Sequence, residues 1–166
     1  IGAARHRLDE VDASREAYAQ AQRLFAAVGN PLGEAAALAG EAESLLDALE
    51  IEAALGRFAR AIALVEQVGA ALAHSADHES FFDRYATLYT GAIRAAAYER
   101  DSARVLELAR AYASRASRAG RARAVQRLRE YEQQLPLRGA GLTKEQIEQN
   151  KAIARLLADA RKVLAA

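Results

Sequence analysis

Residues 14–29 read Ser-Arg-Glu-Ala-Tyr-Ala-Gln-Ala-Gln-Arg-Leu-Phe-Ala-Ala-Val-Gly, and residues 54–69 read Ala-Leu-Gly-Arg-Phe-Ala-Arg-Ala-Ile-Ala-Leu-Val-Glu-Gln-Val-Gly. Six positions of the first stretch, Ser14, Tyr18, Ala21, Leu24, Val28 and Gly29, recur 40 residues later as Ala54, Phe58, Ala61, Leu64, Val68 and Gly69. Residues three and four apart share one face of a helix, so a small residue, an aromatic and an alanine at this spacing form a single stripe. The small members let two helix backbones approach. The aromatic fills the space between neighbouring hairpins. Gly29 and Gly69 stand where a helix ends in a left-handed cap that glycine adopts at little cost. Gly29-Asn30-Pro31 then reads as stop, turn and restart, with Pro31 in the first turn of the next helix.

The signature Ser14, Tyr18, Ala21, Gly29 and its copy Ala54, Phe58, Ala61, Gly69 resembles the second helix of a tetratricopeptide repeat, over residues 1–69. That resemblance implies an all-α chain wound as an α-α superhelix, a helical solenoid whose hairpins stack on their neighbours. It also implies a scaffold that binds protein or peptide along a concave face, with no catalysis of its own. In this register Ile1-Gly2 falls inside a first helix, so the chain is expected to open in the middle of a hairpin and to be a fragment of a longer repeat protein.

Composition agrees with a helical chain. Alanine supplies 43 of the 166 residues, and runs that alternate as strands do are missing. The spacing predicts helices at about residues 1–8, 11–28, 32–48, 51–68, 78–99, 102–119, 121–134 and 144–164. Val105, Ala109 and Tyr112 repeat the signature spacing 51 residues after Ala54, Phe58 and Ala61, which places an insertion around residues 70–79. Beyond Gly120 the period is lost. Leu135-Pro136-Leu137-Arg138-Gly139-Ala140-Gly141 reads as a connector, because proline and glycine interrupt helices. Thr143 with Gln146 forms a capping box that opens an amphipathic last helix carrying Ile147, Ile153, Leu156, Leu157, Val163 and Leu164. The expected organisation is therefore a repeat region over 1–134 and a connector with a capping or linker helix over 135–166.

The second half also resembles a more particular arrangement. Phe81-Phe82-Asp83-Arg84-Tyr85, then Val105-Leu106-Glu107-Leu108-Ala109-Arg110, then Leu142-Thr143-Lys144-Glu145 look like the tetratricopeptide segment preceding CHAT domains, caspase-like modules of bacterial proteins. The resemblance implies the regulatory or docking arm of a larger protein, with any peptidase chemistry in a domain outside this chain.

Chemistry within the chain has few candidates. Cysteine is absent, which removes disulfides, thiolate metal ligands and cysteine nucleophiles and points to the cytoplasm. No phosphate-binding glycine loop, nucleophile elbow or metalloprotease motif occurs. His74 and His78, four apart, could share a metal with Asp77 or Asp83, but zinc sites take three or four ligands and no further one is evident. Ser75 or Asp77 is expected to cap the helix that starts near His78, with the histidines in solvent. Neither a metal nor a cofactor is expected. No apolar run approaches the roughly 18 residues that span a membrane.

Two features suggest contacts. Phe81, Phe82, Tyr85, Tyr89 and Ile93 form an aromatic stripe that is either helix-packing core or the lining of a peptide groove. In the second case Tyr85 and Tyr89 are partner contacts. Charge supplies the other feature. Residues 1–53 carry four arginines against ten carboxylates, whereas residues 102–129 carry eight arginines against Glu107 alone. Solvated helix faces would account for this. The functional alternative is that Arg115, Arg118, Arg121 and Arg123, with Arg127 and Arg129, dock an acidic protein segment, an adjoining domain or another copy of the chain. Aromatic residues near these arginines are too few for stacked single-stranded nucleic acid. A carboxylate clamp of the chaperone-binding kind is excluded for the second repeat, where Ala36, Ala39, Gly40, Glu43 and Asp47 stand in place of lysine and asparagine.

Overall fold

The computed structural model describes residues 2–135 and 141–166, and side chains from residue 13 onward within those ranges. The described residues form eight helices and no strand: α1 (Gly2–Ala27), α2 (Pro31–Asp47), α3 (Ile51–Ala70), α4 (His78–Asp83), α5 (Ala86–Tyr98), α6 (Ser102–Ala113), α7 (Arg118–Gln134) and α8 (Lys144–Ala165). The fold is all-α. It divides into two compact units, residues 1–73 and residues 74–166.

Three turns of the chain are built alike. Gly29, Leu49 and Arg100 have φ of 67°, 62° and 59°, and each lies just before the residue that opens the next helix. Asn30, Glu50 and Asp101 donate their backbone N–H groups to the carbonyls of Phe25, Leu45 and Ala96, the 6→1 bond of a Schellman cap. Asn30 and Asp101 then cap the following helix, their side chains accepting from the N–H groups of Gly33 and Arg104 at 2.9 Å each. Glu50 makes no such bond. Its carboxylate pairs with Arg15 instead. The predicted stop, turn and restart at Gly29-Asn30-Pro31 is present, with Pro31 at the start of α2.

In the first unit α2 lies between α1 and α3. Gly33 and Gly40, seven apart on α2, carry the rings of Phe25 and Tyr18, seven apart on α1. A Cβ on either glycine would overlap the ring. Across the other side Ala54, Phe58 and Ala61 are almost wholly buried, as the stripe requires. Glu34 and Glu41 on α2 pair with Arg60 and Arg57 on α3 at 2.6 and 2.7 Å. Spaced seven and three apart, they tie together helices that run in opposite directions.

Three expectations need correction here. Residues 9 and 10 do not separate two helices: Gly2–Ala27 is continuous, since Asp9-Glu10 contains neither glycine nor proline to stop it. Gly69 is not a left-handed cap. It lies buried inside α3, which runs on to Ala70. Gly40 packs against Tyr18, so it is a helix-contact residue and not a groove position.

The second unit is organised around α5, which packs against α6, α7 and α8 and buries ten of its residues. A helix covered on several sides is the core of its unit. The predicted boundary between residues 134 and 135 is not where the chain divides, because α8 packs on α5, α6 and α7. Residues 136–140 of the connector lie outside the described residues. The capping box of α8 is complete: Thr143 Oγ1 accepts from Gln146 N–H at 3.1 Å, and Gln146 Oε1 accepts from Thr143 N–H at 2.8 Å. Ile153, Leu157, Ala160 and Leu164 are its buried stripe, while Ile147, Leu156 and Val163 are half-buried.

The helix predicted over 78–99 is interrupted at Arg84-Tyr85, and α7 begins at Arg118, three residues earlier than predicted. One residue links both departures. Asp83, at the end of α4, accepts the Ser117 backbone N–H at 3.0 Å and the Ser117 hydroxyl at 2.6 Å. Ser117 Oγ in turn accepts from Gly120 N–H at 3.1 Å, so the serine caps α7 while Asp83 holds the serine.

Candidate binding surface

The aromatic stripe resolves mainly as core. Phe81, Phe82, Tyr89 and Ile93 are buried, with Tyr89 stacked on Tyr112 at 4.9 Å between ring centroids. Tyr89 is thus a packing residue and cannot contact a partner, a correction to the groove alternative. Tyr85 is half-buried, its ring 5.1 Å from Phe81, and burial raises its phenol above the ordinary value, with Arg84 opposing. His78 packs edge-on against Phe82 at 5.0 Å. Ser75 Oγ accepts from Asp77 N–H at 3.1 Å, but neither Ser75 nor Asp77 caps α4 by its side chain. Among the described residues no cluster of three or more histidine, aspartate or glutamate side chains could hold a metal ion.

The arginines fall into three environments. Arg115 turns inward, its guanidinium 5.9 Å from the Phe82 ring centroid and 2.6 Å from the Ala111 carbonyl. Arg123 lies 3.3 Å from Asp83 and belongs to the α7 cap. Arg118 and Arg121 instead line a groove between the start of α7 and the end of α8, of about 540 Å³. Arg129 joins them, and Ala122, Val125 and Leu164 supply apolar lining. Of the predicted arginines Arg118, Arg121 and Arg129 share this surface, and Arg115, Arg123 and Arg127 do not. Val125 was not singled out by sequence, although Arg118, Ala122, Val125 and Arg129, at steps of four, three and four, form a readable helical stripe.

A second hollow of about 390 Å³ opens on another side of α7, lined by Asp83, Arg84, Arg123, Arg127 and Glu130 among others. Its carboxylates offset its arginines. No acidic side chain lines the α7–α8 groove. Among the described residues Arg118 and Arg129 have no carboxylate partner, and Arg121 donates only to the Ala113 carbonyl at 3.4 Å. The groove is therefore the less neutralised of the two.

Beside Gly120, near the start of α7, lies a buried hydroxyl without a hydrogen-bond partner, that of Tyr112. Burial pushes its phenol up to about 12, Asp83 adds to the rise and Arg123 opposes it. Such a group contributes stability that is complete below pH 10 and is lost as pH rises through about 12. Tyr112→Phe keeps the ring and removes the unsatisfied oxygen. We expect it to be neutral or stabilising by up to about 1 kcal/mol at pH 8, and to flatten the loss of stability between pH 10 and 12 relative to wild type. Urea melts of both proteins across that range check this. A loss above about 1 kcal/mol at pH 8 would mean that the hydroxyl is bonded.

Comparison with family models, with curated proteins and with solved structures finds no match. Among the described residues no helix is long and apolar enough to cross a membrane.

Proposed function

We propose that the protein is a non-catalytic helical scaffold, of the tetratricopeptide kind in its first unit, that docks an acidic protein element on the α7–α8 groove. The observation that carries this reading is the unequal pairing of charge. Residues 1–73 hold six arginines against eleven carboxylates, yet Glu34, Glu41 and Glu50 are paired with Arg60, Arg57 and Arg15. Glu43, Asp47 and Glu66 are engaged as well. The excess positive charge of residues 74–166, seventeen lysines and arginines against eleven carboxylates, includes the unpaired guanidiniums of the groove. Guanidinium groups bind carboxylates through two parallel N–H bonds, which suits a protein ligand. Head-to-tail self-association is the weaker reading, since many carboxylates of the first unit already have partners.

The test is binding of poly-L-glutamate at low and moderate salt. Arg118→Glu, Arg121→Glu and Arg129→Glu together should weaken it by about tenfold or more and flatten its salt dependence, with the helical circular dichroism unchanged. An equal charge reversal on exposed residues elsewhere, Arg100→Glu, Arg104→Glu and Arg110→Glu, should have a much smaller effect. Equal losses from the two triple variants would reduce the attraction to net charge and overturn the site. Arg123 is left out of the triple because its reversal would set a glutamate against Asp83.

A further inference from the structure

We infer that the α7–α8 groove takes an acidic segment of another protein whose carboxylates flank a branched aliphatic side chain. This rests on the docking reading above and specifies its ligand. Arg118, Ala122, Val125 and Arg129 lie along one line of α7, and eleven helical residues span about 16 Å at 1.5 Å each. A ligand chain of about five extended residues, or eleven helical ones, covers that distance. Guanidiniums stand near both ends of the line, and Arg121 lies beside its first turn.

Between them Ala122 is exposed and Val125 half-exposed, Gln126 adds an amide, and the almost wholly buried Leu164 stands on the side formed by α8. A polyanion without apolar groups would leave Val125 and the arginine stems covered by nothing. A leucine, isoleucine or valine placed between two carboxylates removes that surface from water while each carboxylate meets a fork. No aromatic residue lines the groove, so bases have nothing to stack on. The hollow on the other side of α7 sets Asp83 and Glu130 beside its arginines and so attracts the same segment less.

The test is selection of random dodecapeptides displayed on phage against the full chain. The expected result is enrichment of sequences with several Asp or Glu residues and a Leu, Ile or Val among them. A synthetic, fluorescein-labelled member of that set should lose about tenfold or more in affinity to Arg118→Glu with Arg129→Glu, and several-fold to Val125→Asp. Arg84→Glu with Arg127→Glu, on the other side of α7, should change it less than about twofold. Should the charge reversal disturb folding by circular dichroism, Arg118→Gln with Arg129→Gln serves in its place. Acidic sequences without aliphatic preference would overturn this inference and leave the docking reading standing. Enrichment without acidic bias, or no enrichment at all, would overturn both, as would displacement of the peptide by a DNA duplex at equal phosphate and carboxylate concentration.

Discussion

Replacing Phe58 by alanine is expected to destabilise the unit formed by residues 1–73 by about 3–5 kcal/mol, the range for removing a fully buried aromatic. The ring is 1% exposed, and its stripe partners Ala54 and Ala61 are fully buried. Two alanines cannot extend into a cavity. The loss should therefore lie toward the full cavity cost, with little relief from relaxation. Because the chain has two units, a single melting curve can merge their transitions, and amide exchange read separately in α2 and α3 locates the loss. Leu24→Ala is the control. Leu24 occupies the register position of Leu64, but it is 68% exposed, so its truncation should change stability by no more than about 0.5 kcal/mol. A loss below about 1 kcal/mol for Phe58→Ala would mean that the aromatic stripe does not hold α3 in place.

Leu24 also shows where repeat logic stops describing burial. The 40-residue match assigns equal roles to Tyr18 and Phe58, and to Ala21 and Ala61, yet Tyr18 and Ala21 are half-buried while Phe58 and Ala61 are buried. A sequence period states which residues share a helix face. How completely a face is covered depends on what packs on it, and a pattern of side chains carries no such information. The turns follow the same rule. Gly29 was legible because glycine adopts positive φ freely, whereas Leu49 and Arg100 adopt it against their own preference, at a cost of roughly 1–2 kcal/mol each. The Schellman hydrogen bonds and the helices on either side impose that conformation. Nothing in a leucine announces it.

The basic surface was legible in kind but not in membership. An arginine count identifies a basic helix, and it identified α7. Separation of Arg118 and Arg121 from Arg123 required knowing that Asp83, 40 residues away, reaches the α7 cap. Arg115 was lost to the surface for a similar reason, since its neighbour across the fold is the Phe82 ring. Tyr89 follows from α5 becoming the core of its unit. In a solenoid one face of such a helix lines the groove, but here α6, α7 and α8 cover it.

The Asp83 contact makes an unusual prediction about Gly120. Glycine in the body of a helix normally gains about 1 kcal/mol of stability when replaced by alanine. Gly120→Ala is expected to do the reverse, destabilising residues 74–166 by about 2–3 kcal/mol. A Cβ at Gly120 would overlap Asp83 Oδ1 and lie 2.6 Å from its Cγ and 3.1 Å from Tyr112 Oη. The carboxylate cannot yield cheaply, because Ser117 N–H and Ser117 Oγ bind it at 3.0 and 2.6 Å and Arg123 lies at 3.3 Å. Moving it also removes the only carboxylate described at a helix start that has no acidic residue in its own first turn and carries Arg118 there, next to the positive end of the dipole. Asp83→Ala alone should cost about 2–4 kcal/mol, from two charge-assisted bonds and a partly buried N–H left without its acceptor. In the Asp83→Ala background the main obstacle is gone and only the 3.1 Å approach to Tyr112 Oη remains, so adding Gly120→Ala should be neutral or restore up to about 1 kcal/mol through helix propensity. The sign of the Gly120 substitution thus reverses with the identity of residue 83, a coupling of about 2–4 kcal/mol in a double-mutant cycle measured by urea denaturation. Additive losses would show that Gly120 is not shaped by Asp83, and that the start of α7 is held by something other than this carboxylate.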